Sequence, residues 1–176
     1  MSTPPEIATP RLSATERDRL FAAIGHVVVN FQQVELWLAE ALASVLALKV
    51  LEDRHVISSA MSFRQKVDLV AELYPRKKAH YHGVEMQLIK KSLYAAEEFR
   101  NRIVHSLWTI EFPGKWVRVK SSIKGRKGFA LSISAVNIAH LEGAAIALLA
   151  IREWELNDAA TLQTAIDALG NQISDA

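Results

Sequence analysis

Three features of the sequence predict a mainly α-helical bundle of about five to six helices with an inserted β-hairpin. Apolar residues recur at spacings of three and four through most of the chain. One segment, at about 107–134, switches to strand-like alternation between turn signals. The length, 176 residues, suits one domain with enough chain to bury a core.

The elements follow in order. Residues 1–12 read as a flexible, proline-punctuated arm, and 13–176 as a single domain. Ser13 and Glu16 stand in capping-box positions. Leu20, Ile24, Val27, Phe31, Val34, Leu38, Ala41 and Val45 then form one stripe, which predicts a helix from about 14 to 49, with a bend near Gly25. A short helix is expected over 53–60, and another opens at Met61 or Ser62 and stops before Pro75. After a basic loop, PRKKAHYHG, a helix over 84–106 places Ile89, Leu93, Ala96, Ile103 and Leu107 on one stripe, and Arg100 takes the step missing from it. Val117 and Val119 alternate with Arg118 and Lys120 between turn signals at Pro113-Gly114 and Gly125 to Gly128, which predicts the hairpin, with a third short strand at 107–112. An alanine-rich helix runs from Ser134 to about 156, and its small residues Gly143, Ala144, Ala147 and Ala150 suit close helix approach. A last helix, about 158–169, is capped by Asn157 and stopped by Gly170.

Composition excludes several function classes. Half the residues are hydrophobic, 23% are charged and the formal charge is +2, as in an ordinary folded protein. With no cysteine there can be no disulfide, thiolate nucleophile or sulfur-based zinc site. Charge interrupts every apolar segment before it reaches a membrane-spanning length, and no secretory signal is visible. A cytoplasmic location without membrane contact is expected.

The stretch FRNRIVHSLW, residues 99–108, concentrates the chemistry. A guanidinium in an apolar stripe is costly unless partners meet it. Glu35, on the border of the first helix's stripe, can supply a bidentate carboxylate to Arg100 or, equally, to Arg102. His105 lies one turn after Asn101 on the same helix side, and histidine is the side chain suited to proton transfer near neutral pH. Arg100 lies about 140° around the helix from His105, so the two converge only through the reach of the arginine or through a second protomer. The plainer reading is a well-charged helix terminus, with His105 capping carbonyls and the arginines favoured by the dipole.

Arg100-Asn101-Arg102-Ile103-Val104-His105 resembles the R-x4-H motif of the HEPN superfamily of all-helical domains, in which a polar residue often follows the arginine. The long FQQVELWLAEAL helix, the SFRQKVDLVAEL helix and the final alanine-rich helix fit the same plan, so the resemblance covers roughly residues 14–156. It implies a metal-independent endoribonuclease without cofactor, working as a homodimer whose two motifs face one another in a composite site. Arg100 would then hold the scissile phosphate, and His105 would serve as general acid or base for attack by the ribose 2′-hydroxyl. Asn101 would orient phosphate or imidazole. A toxin or defence role is implied as well, with an antitoxin or nucleotidyltransferase as partner. The hairpin exceeds a minimal bundle of this kind. It either extends the binding surface or marks a noncatalytic module that binds RNA, nucleotide or protein; a helical oligomerisation protein is a third reading.

The hairpin supplies a candidate RNA surface. Lys115, Arg118, Lys120, Lys124, Arg126 and Lys127 occur without an intervening acid, and Trp116 and Phe129 flank them. Basic side chains can follow a phosphate backbone while an aromatic ring stacks on an unpaired base. Protection of an edge strand is the alternative. His80 and His82 lack further ligands at metal-site spacing, so no metal site is expected. Trp37, Trp108 and Trp154 read as core or interface residues.

Overall fold

The computed structural model describes residues 14–77, 84–111, 115–123 and 129–170. Among these the chain forms six helices and a three-stranded antiparallel sheet, so the predicted helical bundle with a β insertion is what the protein adopts. The terminal arm, the loop with His80 and His82, and both hairpin turns lie outside the described residues.

Helix α1 (Ala14–Val45) is the spine. Leu20, Val27, Phe31, Val34, Leu38 and Val45 from its predicted stripe are all buried, which fixes the face turned to the other helices. It packs chiefly on α5 (Ile138–Arg152), with α3 (Phe63–Lys77) and α4 (Met86–Val104) beside it, and α6 (Ala159–Gly170) closes against α4 and α5. Helix α2 (Leu51–Ala60) buries no residue. No described helix is long and apolar enough to cross a membrane.

Several predicted boundaries are corrected. Helix α1 ends at Val45, not near 49, in a two-bond C-terminal motif: Leu48 N–H donates to Ala43 O at 3.0 Å and Ala47 N–H to Ser44 O at 3.2 Å. Ala47 takes the left-handed position (φ 55°) that glycine usually fills, so the sequence carries no stop signal there. Ser62 does open α3, exchanging bonds with Gln65 as a capping box. Pro75 does not end that helix, however, because one lost bond in the last turn is outweighed by what holds the turn in place. Glu72 pairs with Arg76 across the proline, and the buried Tyr74 ring meets Trp154 edge-on at 5.0 Å.

The insertion is a meander: β1 (Leu107–Glu111), β2 (Lys115–Ile123) and β3 (Phe129–Ala135). Ser134 therefore belongs to a strand, pairing with Arg118, and α5 starts four residues later behind the cap residue Asn137. Leu107 leaves the helical stripe for β1 and is exposed, while Phe99 takes the buried place near the end of α4. Trp108 and Trp116 pack one sheet face on the bundle. Within α5, Ala144 and Ala147 are buried as expected, but a side chain at Gly143 would meet nothing within 4 Å among the described residues. Asp158, not Asn157, caps α6 by accepting from Thr161 N at 2.8 Å; the Asn157 amide instead donates to Ala150 O.

Candidate functional site

Helix α4 delivers the FRNRIVHSLW residues to a rigid corner. Its last carbonyls would be orphaned at the helix end, yet three in succession are satisfied. His105 N–H donates to Asn101 O at 3.0 Å, Ser106 Oγ to Arg102 O at 2.5 Å, and Trp108 Nε1 to Ile103 O at 3.1 Å. The chain thereby turns from α4 into β1 within two residues, and the His105 side chain stands exposed at the corner.

An open cleft of about 450 Å³ lies here, lined by Glu98, Asn101, Arg102 and His105 of α4, Arg118 and Lys120 of β2, and Arg64 of α3. The four α4 residues stand at steps of three, one and three, the repeat of a single helix face. Arg118 and Lys120 alternate on β2, so they point to the same side of the sheet, where the register sets Arg118 opposite Trp108 and Ser134. Arg118 is almost fully buried, at 6% exposure, and its Nη2 donates to Ser134 Oγ at 3.2 Å. The lining carries four cationic side chains and one carboxylate, and although Arg64 is already paired with Glu97 the balance favours an anion.

Arg100 is not among the lining residues. Its guanidinium lies 4.7 Å from the centre of the buried Phe31 ring, and Nη2 is 3.8 Å from Glu35 Oε2. The expected meeting with Glu35 thus occurs through Arg100, as one long ion pair and not a bidentate contact. The shorter bond is to its neighbour, Nη1 donating to Asn101 Oδ1 at 2.8 Å. A guanidinium has only donors, so this bond fixes the Asn101 amide with its oxygen toward Arg100 and leaves the Nδ2 group for the cleft.

Sequence reasoning passed over Glu98 and Arg64. The repeat 98, 101, 102, 105 was the available signal for Glu98; nothing local marked Arg64, which arrives from another helix. Arg64 Nε donates to Glu97 Oε2 at 2.7 Å and its guanidinium lies 5.1 Å from the Tyr94 ring centre. Glu97, through this bond and its charge, raises the guanidinium pKa. Hydrogen bonds from Lys90 and Tyr94 hold the nearby Asp68 carboxyl below its ordinary range.

Of the hairpin candidates, Arg118 and Lys120 reach the cleft, while Lys124, Arg126 and Lys127, and the side chain of Lys115, lie outside the described residues. Trp116 is no open platform for a base. Its ring meets Phe21 edge-on at 6.0 Å, it packs on the core, and its buried Nε1 has no hydrogen-bond partner among the described residues. Trp154 is core, whereas Trp37 is 40% exposed. Among the described residues no group of three or more His, Cys, Asp or Glu could hold a metal ion.

No family model, curated protein or solved structure matches the chain.

Proposed function

We propose that the protein is a metal-independent endoribonuclease that binds single-stranded RNA in this cleft and cleaves it by attack of a ribose 2′-hydroxyl on the adjoining phosphate. The observation that carries the reading is the convergence of Asn101, Arg102 and His105 with Arg118 and Lys120 in one open, cationic cleft. Cations placed around a phosphate stabilise the charge that grows on it during transfer. His105, exposed beside them, is the group able to move a proton. An open cleft of about 450 Å³ has room for a phosphodiester.

Within this reading Arg102, Arg118 and Lys120 hold the phosphate, and Asn101 donates to it through Nδ2. Arg100 is a positioning residue that acts through Asn101. The resemblance to the HEPN superfamily adds a homodimer, a role as toxin or defence effector, and an antitoxin or nucleotidyltransferase as partner. It assigns both proton transfers to His105, one from each copy.

The test is incubation of the purified protein with mixed single-stranded RNA in the presence of a chelator. Cleavage leaving 2′,3′-cyclic phosphate and 5′-hydroxyl ends is expected, with a loss on the order of 10²- to 10⁴-fold in His105→Ala. RNA that is bound but never cut would leave a noncatalytic RNA-binding module.

A further inference from the structure

The reaction proposed above needs two proton transfers on opposite sides of one phosphorus, and a single α4 face carries a group for each. Glu98 and His105 are seven residues apart, hence nearly aligned and roughly 10 Å apart along the helix axis. Asn101 and Arg102, one turn from each, stand between them, and all four line the same cleft. Both outer side chains are exposed and so accessible to a ligand.

We propose that Glu98 is a catalytic residue of this cleft, the general base that pairs with His105 as general acid in the same chain. This rests on the ribonuclease reading and departs from the resemblance on one point: the second proton-transfer group comes from Glu98, not from the partner's histidine. A carboxylate has only acceptor atoms, whereas a protonated imidazole donates at both nitrogens, which sets the direction of transfer. Glu98 takes the proton of the 2′-hydroxyl as the O2′ lone pair forms the new bond to phosphorus. The bond from phosphorus to O5′ breaks, its electron pair stays on O5′, and the imidazolium of His105 supplies the proton that makes the 5′-hydroxyl. The charge on the phosphate meets Arg102 and the Asn101 amide from α4, and Arg118 and Lys120 from β2. Attack and departure must be in line, and a base and an acid at the two ends of a helix face, with the phosphate ligands between them, match that requirement. A structural role for Glu98 as the i,i+4 partner of Arg102 would lend support to the helix and nothing to the chemistry.

The experiment compares wild type, Glu98→Gln and His105→Ala on a dinucleotide linkage with the ordinary O5′ leaving group and on one in which sulfur replaces O5′. Sulfur departs without a proton. Both variants are expected to lose on the order of 10²-fold or more on the oxygen substrate. On the sulfur substrate His105→Ala should recover most of that loss and Glu98→Gln should not. Mixing the two variants should restore nothing, since acid and base belong to one chain. Thermal unfolding at wild-type temperature confirms that each variant is folded. Glu98→Gln cutting within about three-fold of wild type, with His105→Ala inactive, overturns the role of Glu98 and leaves the ribonuclease reading standing. Equal recovery of both variants on sulfur, or activity regained on mixing, overturns the assignment of base and acid within one chain. A wild type that cuts neither substrate nor any other RNA overturns both proposals.

Discussion

The contact lengths predict that Arg100 is coupled more strongly to Asn101 than to Glu35, although the sequence points to Glu35. The Arg100–Glu35 pair is 3.8 Å long, and the two side chains are 30% and 34% exposed. The Coulomb attraction at that distance is about 1 kcal/mol in water and rises in lower dielectric, but ordering two long side chains offsets most of it. Pairs of this kind measure about 0.2–1 kcal/mol. The bond to Asn101 is short, 2.8 Å, and charge-assisted. Such bonds contribute roughly 1.5–3 kcal/mol, and partial exposure places this one near the lower end. Two double-mutant cycles separate the terms: Arg100→Ala with Asn101→Ala, and Arg100→Ala with Glu35→Ala, each read by urea unfolding. The expected coupling is about 1–1.5 kcal/mol for the first and at most about 0.5 kcal/mol for the second. The stacking on Phe31 is common to both cycles and cancels, while Arg100→Ala alone also loses that stacking, on the order of 0.5–1 kcal/mol. A Glu35 coupling larger than the Asn101 coupling would refute the reasoning and return Arg100 to a purely interhelical role.

Two further predictions concern helix ends. Ala47→Gly should stabilise the fold by about 1 kcal/mol, because the left-handed residue closing α1 would lose its Cβ penalty, partly offset by the greater freedom of glycine in the unfolded chain; a lowered denaturation midpoint would contradict this. The second is a pH dependence at the start of α6. The Thr161 backbone N–H, ahead of all other causes, holds the Asp158 carboxyl below the ordinary carboxylate range. A depressed folded value stabilises above the unfolded value, and that stability is lost as pH falls through the folded one. Wild type should therefore melt above Asp158→Ala at neutral pH, and the gap should close in strong acid; a gap that persists there would show that the charge is not what caps the helix.

The legible part of the fold is the part governed by periodicity. The α1 stripe is buried at Leu20, Val27, Phe31, Val34, Leu38 and Val45 because its spacing leaves one face no alternative. The misread boundaries share a cause, a local signal overridden by a distant partner or missing altogether. Pro75 is a strong stop signal in a chain read alone, and Tyr74 against Trp154 is a contact across some eighty residues that no local window contains. Ala47 ends a helix with the wrong residue for the task. In the site, the parts of α4 and β2 that form the cleft are each visible, Asn101, Arg102 and His105 through their clustering and Arg118 and Lys120 through their alternation. That Trp116 packs on the bundle is not legible, because alternation tells which residues share a sheet face and not which face the bundle covers. Arg64 comes from α3, and its place in the cleft depends on packing between helices.

An R-x4-H spacing cannot bring both of its ends to one side of a straight helix, since five residues turn it by about 140°. Arg100 accordingly faces α1, and the cleft is left to residues at steps of three and four. Asn101 joins the two sides: its oxygen receives Arg100 and its amide nitrogen remains for the cleft. Loss of cleavage in Arg100→Ala would not by itself place the guanidinium on the phosphate, because the same loss follows from releasing Asn101. The Arg100 and Asn101 variants used for stability decide the matter when read by cleavage. If Arg100 acts only through Asn101, the double variant is no slower than Asn101→Ala alone. If the losses multiply, Arg100 reaches the phosphate directly, and since it does not line the cleft of its own chain, it must do so either by leaving Phe31 or in the cleft of a second copy.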